Sequence, residues 1–169
     1  MSELLKIRLR TAMWAIVPVF VVVVIPAWLR RLAQEPPPGP WGTSQWLGVW
    51  LIVNGVGLSA WCANLFNVKG RGTPLPFDPP KRFIVSGPYR YVRNPMMWGV
   101  FLVLMGEVLL FESRLLLGYG LLLMAAVHAF VRLWEEPDLA RRFGEDYRAY
   151  CRQVPRWIPR LPAGRRKSA

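Results

Sequence analysis

The sequence predicts an all-α, polytopic membrane protein: four transmembrane helices and a C-terminal amphipathic helix, in one membrane domain covering residues 1–169. Three observations carry this. With 53% hydrophobic and 19% charged residues, the chain is too apolar for a soluble domain of its length. Four long apolar runs, about 11–29, 46–66, 96–111 and 115–133, alternate with connections rich in proline, glycine or charge. The net charge of +12 is unevenly placed: of 22 Lys and Arg, three precede the first run, six lie after the second and ten follow from Arg132 onward. Only Arg30, Arg31 and Arg114 fall on the other side. Basic residues are retained in the cytoplasm, so both termini and the long loop are expected there, in a multi-pass integral membrane protein.

The first run follows Lys6, Arg8 and Arg10, is long enough to span roughly 30 Å of hydrocarbon, and has Trp14 and Trp28 near its ends. No small-x-small cleavage site follows it, so it reads as a membrane helix and not as a signal peptide. Pro18 and Pro26 interrupt its backbone bonding, which neighbouring helices make good. The stretch 34–42 is rich in Pro and Gly and reads as a short connection. In the second run Gly48, Gly55 and Gly57, with Ser59 and Ala60, offer small surfaces for close helix contact. The loop 68–95 is stiffened by Pro74, Pro76, Pro79 and Pro80, and Pro95 suits the first turn of the third helix, where its missing N–H is no loss. Glu112-Ser113-Arg114 then turns the chain into the fourth helix as a hairpin.

The C-terminal cytoplasmic segment, 134–169, begins at the acidic pair Glu135-Glu136. Pro137 can start a new helix in which Leu139, Phe143, Tyr147 and Tyr150 form one apolar face. Arg141, Arg142, Glu145, Arg148 and Arg152 form the opposite face, and Gly144 is placed to bend it. The tail from Arg156 to Lys167 reads as a contact for anionic membrane lipids. The positive-inside rule already accounts for these charges, so no nucleic-acid partner is expected, and Cys62 and Cys151 make no disulfide framework.

Chemistry-bearing residues gather at the cytoplasmic ends of the runs. His128, Arg132 and Glu135 or Glu136 recur at helical spacing on one face leading out of the membrane. Two readings of His128 stand, a hydrogen-bonded packing residue or a group in the pocket, and for Glu107 the expected partner is His128 or a water. Residues 87–99, Gly-Pro-Tyr-Arg-Tyr-Val-Arg-Asn-Pro-Met-Met-Trp-Gly, put cations, aromatic rings and a Pro-fixed turn at the edge of the third run. The topology places them on the same membrane face as Glu135 and Glu136.

Gly87-Pro-Tyr-x-x-x-Arg93-Asn-Pro95, followed by Glu136-x-x-Leu139-x-x-x-Phe143-Gly144-x-x-Tyr147-x-x-Tyr150-x-x-x-Val154-Pro155-Arg156, resembles the isoprenylcysteine carboxyl methyltransferase family and its phospholipid-methyltransferase-like bacterial relatives over roughly residues 74–160. The resemblance implies an integral membrane enzyme that transfers a methyl group from S-adenosylmethionine to a lipophilic or lipid-like acceptor, by O- or N-methylation, without a metal. It implies a cofactor site formed by Phe83, Ile84, Tyr89, Arg93, Asn94, Pro95, Met97, Glu135 and Glu136. Arg132, Glu135 and Glu136 are the expected catalytic set, with Arg132 toward the substrate and His128 beside it in the pocket reading of its spacing. Members that act on prenylated proteins carry His and Tyr where this chain has Asn94 and Met97, so the prenylcysteine substrate does not carry over. Those two substitutions motivate the other reading, a non-catalytic membrane scaffold. The retention of Arg93 beside Glu135 and Glu136 speaks against it.

Overall fold

A computed structural model describes residues 13, 16–70 and 84–160, and all secondary structure among them is helical. Helices α1 (Ile16–Val19) and α2 (Ile25–Leu32) are joined through a π-helical turn at Phe20–Val24. Helix α3 is Thr43–Leu65, continued by a second π turn to Gly70. A 3₁₀ turn at Gly87–Arg90 precedes α4 (Pro95–Phe111), and α5 (Arg114–Phe130) runs through a third π turn, Val131–Glu135, into α6 (Glu136–Gln153).

Among the described residues, two helical stretches are long and apolar enough to cross a membrane, Thr43–Val68 and Arg114–Gln153. Only 17% and 11% of their most apolar windows is buried inside the protein, the opposite of a soluble core helix. Leu122, Leu133 and Trp134 are more than 70% exposed, and such a surface suits hydrocarbon, not water. The other two expected spans are shorter. Helix α4 has 17 residues, a rise of about 26 Å. The expected span at 11–29 lies partly outside the described residues, and its described part is broken by the π turn.

Glycine sets the tightest packing. Helices α3 and α4 run antiparallel, with Gly48 against Gly106 and Gly55 against Gly99. A Cβ on Gly48 would lie 2.6 Å from the Gly106 carbonyl oxygen, and one on Gly55 equally close to that of Gly99. The backbones therefore touch, as small-residue interfaces allow in membranes. Gly57 meets nothing within 4 Å and takes no part, contrary to its expected share in this contact.

The ends of the helices explain the remaining boundaries. The second span begins at Thr43 instead of 46, because the Gln45 side chain accepts from the Gly42 N–H at 2.9 Å and caps the helix. Between α4 and α5 the backbone turns through Glu112 at φ 52°, and the Ser113 hydroxyl caps α5 by accepting from Leu116 N at 3.1 Å. Ser113 also donates to Glu35 at 2.8 Å, tying this hairpin to the connection after α2. The Tyr119 hydroxyl donates at 2.9 Å to the Val21 carbonyl in the first π turn, where helical bonding is disturbed.

Pro137 sits in the first turn of α6, as its sequence position suggests, but no loop separates α6 from α5. Proline costs the helix little here because the π turn already shifts the bonding register. The whole stretch is 40 residues long, about 60 Å, twice what a bilayer core needs. Its apolar part ends at Trp134, so Glu135 and all of α6 lie beyond the membrane-crossing half. Within α6 the helix breaks at Gly144, which takes φ 56° and ψ −129°.

Candidate functional site

Two segments meet beyond the apolar helices. The first, Ile84 to Asn94, is anchored by Ile84 and Tyr89, which pack on Cys62 and Leu65 of α3. Phe66 meets the Tyr89 ring edge-on at 5.5 Å. Gly87 takes φ 58°, which lets the chain turn over Trp61 and Leu65. The second segment is the apolar face of α6, where Tyr147, Tyr150 and Val154 form a small core with Leu139, Phe143 and Cys151.

Hydrogen bonds join them. The Tyr150 hydroxyl donates to the Tyr89 carbonyl at 2.7 Å, and burial holds that phenol well above its usual pKa, so it stays a donor. After α6 the chain doubles back along the first segment: Arg93 N donates to the Pro155 carbonyl at 2.9 Å and Arg160 N to the Tyr91 carbonyl at 3.0 Å. The Asn94 amide donates to the Arg156 carbonyl at 3.3 Å, and the Trp98 indole to the Trp157 carbonyl at 2.8 Å.

Glu136 is the centre of this junction. Arg156 grips it with both arms of its guanidinium, Nε to Oε1 at 2.8 Å and Nη2 to Oε2 at 2.6 Å. Arg93 Nη1 reaches the same carboxylate at 2.7 Å and also donates to Cys151 Sγ at 3.1 Å. Bidentate and charge-assisted bonds of this kind are the strong ones. The tail reading of Arg156 is thus corrected: it closes on Glu136 and is not a free lipid contact.

Glu135 is different. It is half-buried in the π turn and has no hydrogen bond or ion pair among the described residues. Burial, with Glu136 next to it, raises its pKa from 4.5 to about 7. Its charge also helps to raise the pKa of the Tyr89 phenol, after burial and Cys62, which places the two in electrostatic reach. Among the described residues, two more polar atoms here are buried without a partner, Ser86 Oγ and Arg93 Nε. The first turn of α4 is uncapped, since Asn94 gives its side chain to Arg156. Orphaned donors and a lone carboxylate at one junction suit a polar ligand carrying both an acid and a base.

Of the residues implied by resemblance, the fold brings Ile84, Tyr89, Arg93, Asn94, Pro95, Glu135 and Glu136 to this junction. Phe83 lies outside the described residues. Met97 is half-buried in the first turn of α4, and Arg132 is exposed on the π turn, one turn before Glu135 and Glu136. His128 Nδ1 accepts from the Trp157 indole at 2.9 Å, so its partner is Trp157 and not Glu107. Glu107 lies buried toward the opposite end of α4, with Oε2 unpartnered. Trp157, Ser86 and the clamp role of Arg156 escaped sequence reasoning. The Val154-Pro155-Arg156 run was the available signal, and its position after a helix gave no hint that it returns to Arg93.

No curated protein and no solved structure matches the chain. The model of one family does, from α3 through the loop, α4 and α5 to Asp146 in α6, stopping short of Tyr147, Tyr150 and Arg156. This match over residues 43–146, more than half of the chain, shows that the protein belongs to the phospholipid methyltransferase family of membrane methyltransferases.

Proposed function

We propose that this chain transfers a methyl group from S-adenosylmethionine to a lipophilic or lipid-like acceptor, at the membrane face that carries the Arg93–Glu136–Arg156 junction. The observation that supports it most is Glu135: a half-buried carboxylate without a partner among the described residues, beside one that has two arginines. Structural carboxylates are paired, and unpaired ones at a polar junction are held for a ligand. S-adenosylmethionine supplies a methyl group on a positively charged sulfur. Its amino group or ribose hydroxyls suit Glu135, and its carboxylate suits the uncapped N–H groups of α4.

The other residues position and enclose. Glu136 is taken up by the two arginines, so its part is to fix the π turn that aims Glu135. Ile84, Tyr89 and the turn from Asn94 to Met97 form the apolar and backbone wall, with Phe83 next to it in sequence. Arg132 and His128 lie on the membrane side of this wall, in the last turns of the crossing stretch, Arg132 for an anionic group of the acceptor. Displacement at an activated methyl needs alignment and exclusion of water more than acid-base machinery, which a membrane-bordered junction offers. The basic loop and both termini lie in the cytoplasm in this reading, with four spans, α1 to α2 and α4 counting as the two short ones.

Calorimetric titration of the detergent-purified protein with S-adenosylmethionine tests the cofactor, with Glu135→Gln expected to weaken binding at least about tenfold, the loss of one charge-assisted hydrogen bond. No binding heat in the parent, or a Glu135→Gln variant that matches it, sinks the proposal. Radiolabelled methyl followed into a lipid extract identifies the acceptor and separates an enzyme from a scaffold.

A further inference from the structure

An apolar groove runs along the seam of α4 and α5, from Val108 and Leu117 at one end to Phe101 and Met124 at the other. Gly120 opens the middle of it. Beyond the Phe101–Met124 end, α5 continues through His128 toward Arg132 and Glu135. Trp157 stands there, its ring 6.0 Å from that of Phe101 and 6.1 Å from that of His128.

Trp157 is held in three ways, through its ring, its backbone and its chain neighbour. Its Nε1 donates to His128 Nδ1 at 2.9 Å, one turn beyond Met124 on α5. Its backbone carbonyl accepts from the Trp98 indole at 2.8 Å. Its chain neighbour Arg156 is clamped to Glu136, so the ring is indexed to the polar junction as well as to the groove. A residue that only filled space would not need its indole N–H and its backbone carbonyl both fixed to the two helices that line the groove.

We propose that Trp157 is the barrier between the groove and the polar junction, and the residue that determines which lipophilic acceptor is used. A hydrocarbon chain lying in the groove reaches Arg132 and Glu135 with its reactive end only past this indole. The size of the ring then fixes how bulky the group next to the reacting atom is allowed to be. His128 is its positioning residue. The specificity half of the proposal rests on the methyl-transfer reading above, whereas the barrier does not.

The test uses the full chain in lipid nanodiscs. Met124→Cys puts a thiol in the groove, and a membrane-impermeant maleimide reports its access from water, with labelling of the native Cys62 and Cys151 measured in the parent and subtracted. Adding Trp157→Ala is expected to speed labelling at least about tenfold, as for a site whose protection is local and not global. Trp157→Phe keeps the ring and stays near the parent rate, and His128→Gln falls between. Labelling by N-ethylmaleimide, which crosses lipid, stays equal in all of them and shows that each is folded. Equal rates with the impermeant reagent, with and without Trp157→Ala, overturn the barrier. In parallel, radiolabelled methyl from S-adenosylmethionine is followed into membrane lipids. Trp157→Ala is expected to label species that the parent does not, and an identical product pattern overturns the specificity role. A parent that labels no lipid overturns methyl transfer itself, and the maleimide rates then decide the barrier alone.

Discussion

Removing the Arg156 guanidinium leaves Glu136 with Arg93 alone and takes away the clamp that returns the chain to the junction. Hydrogen bonds to charged groups contribute about 1.5–3 kcal/mol each when lost from a partly buried pair. Arg156→Ala is therefore expected to lower the thermal midpoint by several degrees in detergent, and Arg156→Lys to restore only part, because an ammonium cannot repeat the bidentate grip. Glu135 behaves in the opposite way. It has no partner to give up among the described residues, so Glu135→Gln is expected to leave the midpoint close to the parent while it weakens S-adenosylmethionine binding. Its pKa of about 7 adds a sign. The folded protein holds this proton more tightly than the unfolded chain, so the group's contribution to stability falls as pH rises from 4.5 through about 7. A ligand that needs the carboxylate ionised gains affinity over the same rise. Titration with S-adenosylmethionine at pH 6 and 8 checks this, and the part of the difference due to Glu135 disappears in Glu135→Gln. The role of each acidic residue was not legible in Glu135-Glu136 as written. Neighbours on a helix point in different directions, and the arginine that decides between them arrives twenty residues later.

Helix against helix, glycine is the element that decides. Gly55→Val pushes a branched side chain into the Gly99 carbonyl and the Val103 backbone, and overpacking of this kind costs about 1–3 kcal/mol. Gly57→Val on the same helix meets open space and is expected to change little, so the pair of thermal midpoints isolates the contact. Gly144 tests a different cause. No atom comes within 4 Å of a Cβ there, yet φ 56° with ψ −129° is strained for any L residue. Gly144→Ala is expected to cost about 1–3 kcal/mol through the backbone alone. These elements were mostly legible: the start of α4 at Pro95, the hairpin at Ser113, the apolar face of α6 and the bend at Gly144 all follow from local chemistry. The π turns were not. They shift hydrogen-bond registers without changing the composition on which periodicity is read.

Over the whole molecule, the all-helical architecture, the membrane class and the family were readable because apolar runs and two spaced motifs each leave a strong local pattern. That Arg93 and Glu136 form one junction followed from putting both on one face of the membrane. The return of residues 154–160 along that junction did not, since long-range pairing of an irregular segment has no periodic signature. The orientation has its own test. A reporter fused after Ala169 is expected on the cytoplasmic side, and its appearance on the other side would separate the basic loop from the compartment that supplies the cofactor.

The backbone bonds from Arg93 to Pro155 and from Arg160 to Tyr91 also set an order of assembly. A chain emerging from its N-terminus has all four expected spans, the loop and the Glu135-Glu136 pair before the stretch that fastens them exists. The stretch that fastens the two segments thus follows in sequence everything that it fastens. Truncation after Gln153 is expected to keep the helices, by circular dichroism, while it abolishes S-adenosylmethionine binding, although every residue of the expected cofactor set is retained. Full affinity in that truncated protein would show that the site needs no such closing stretch.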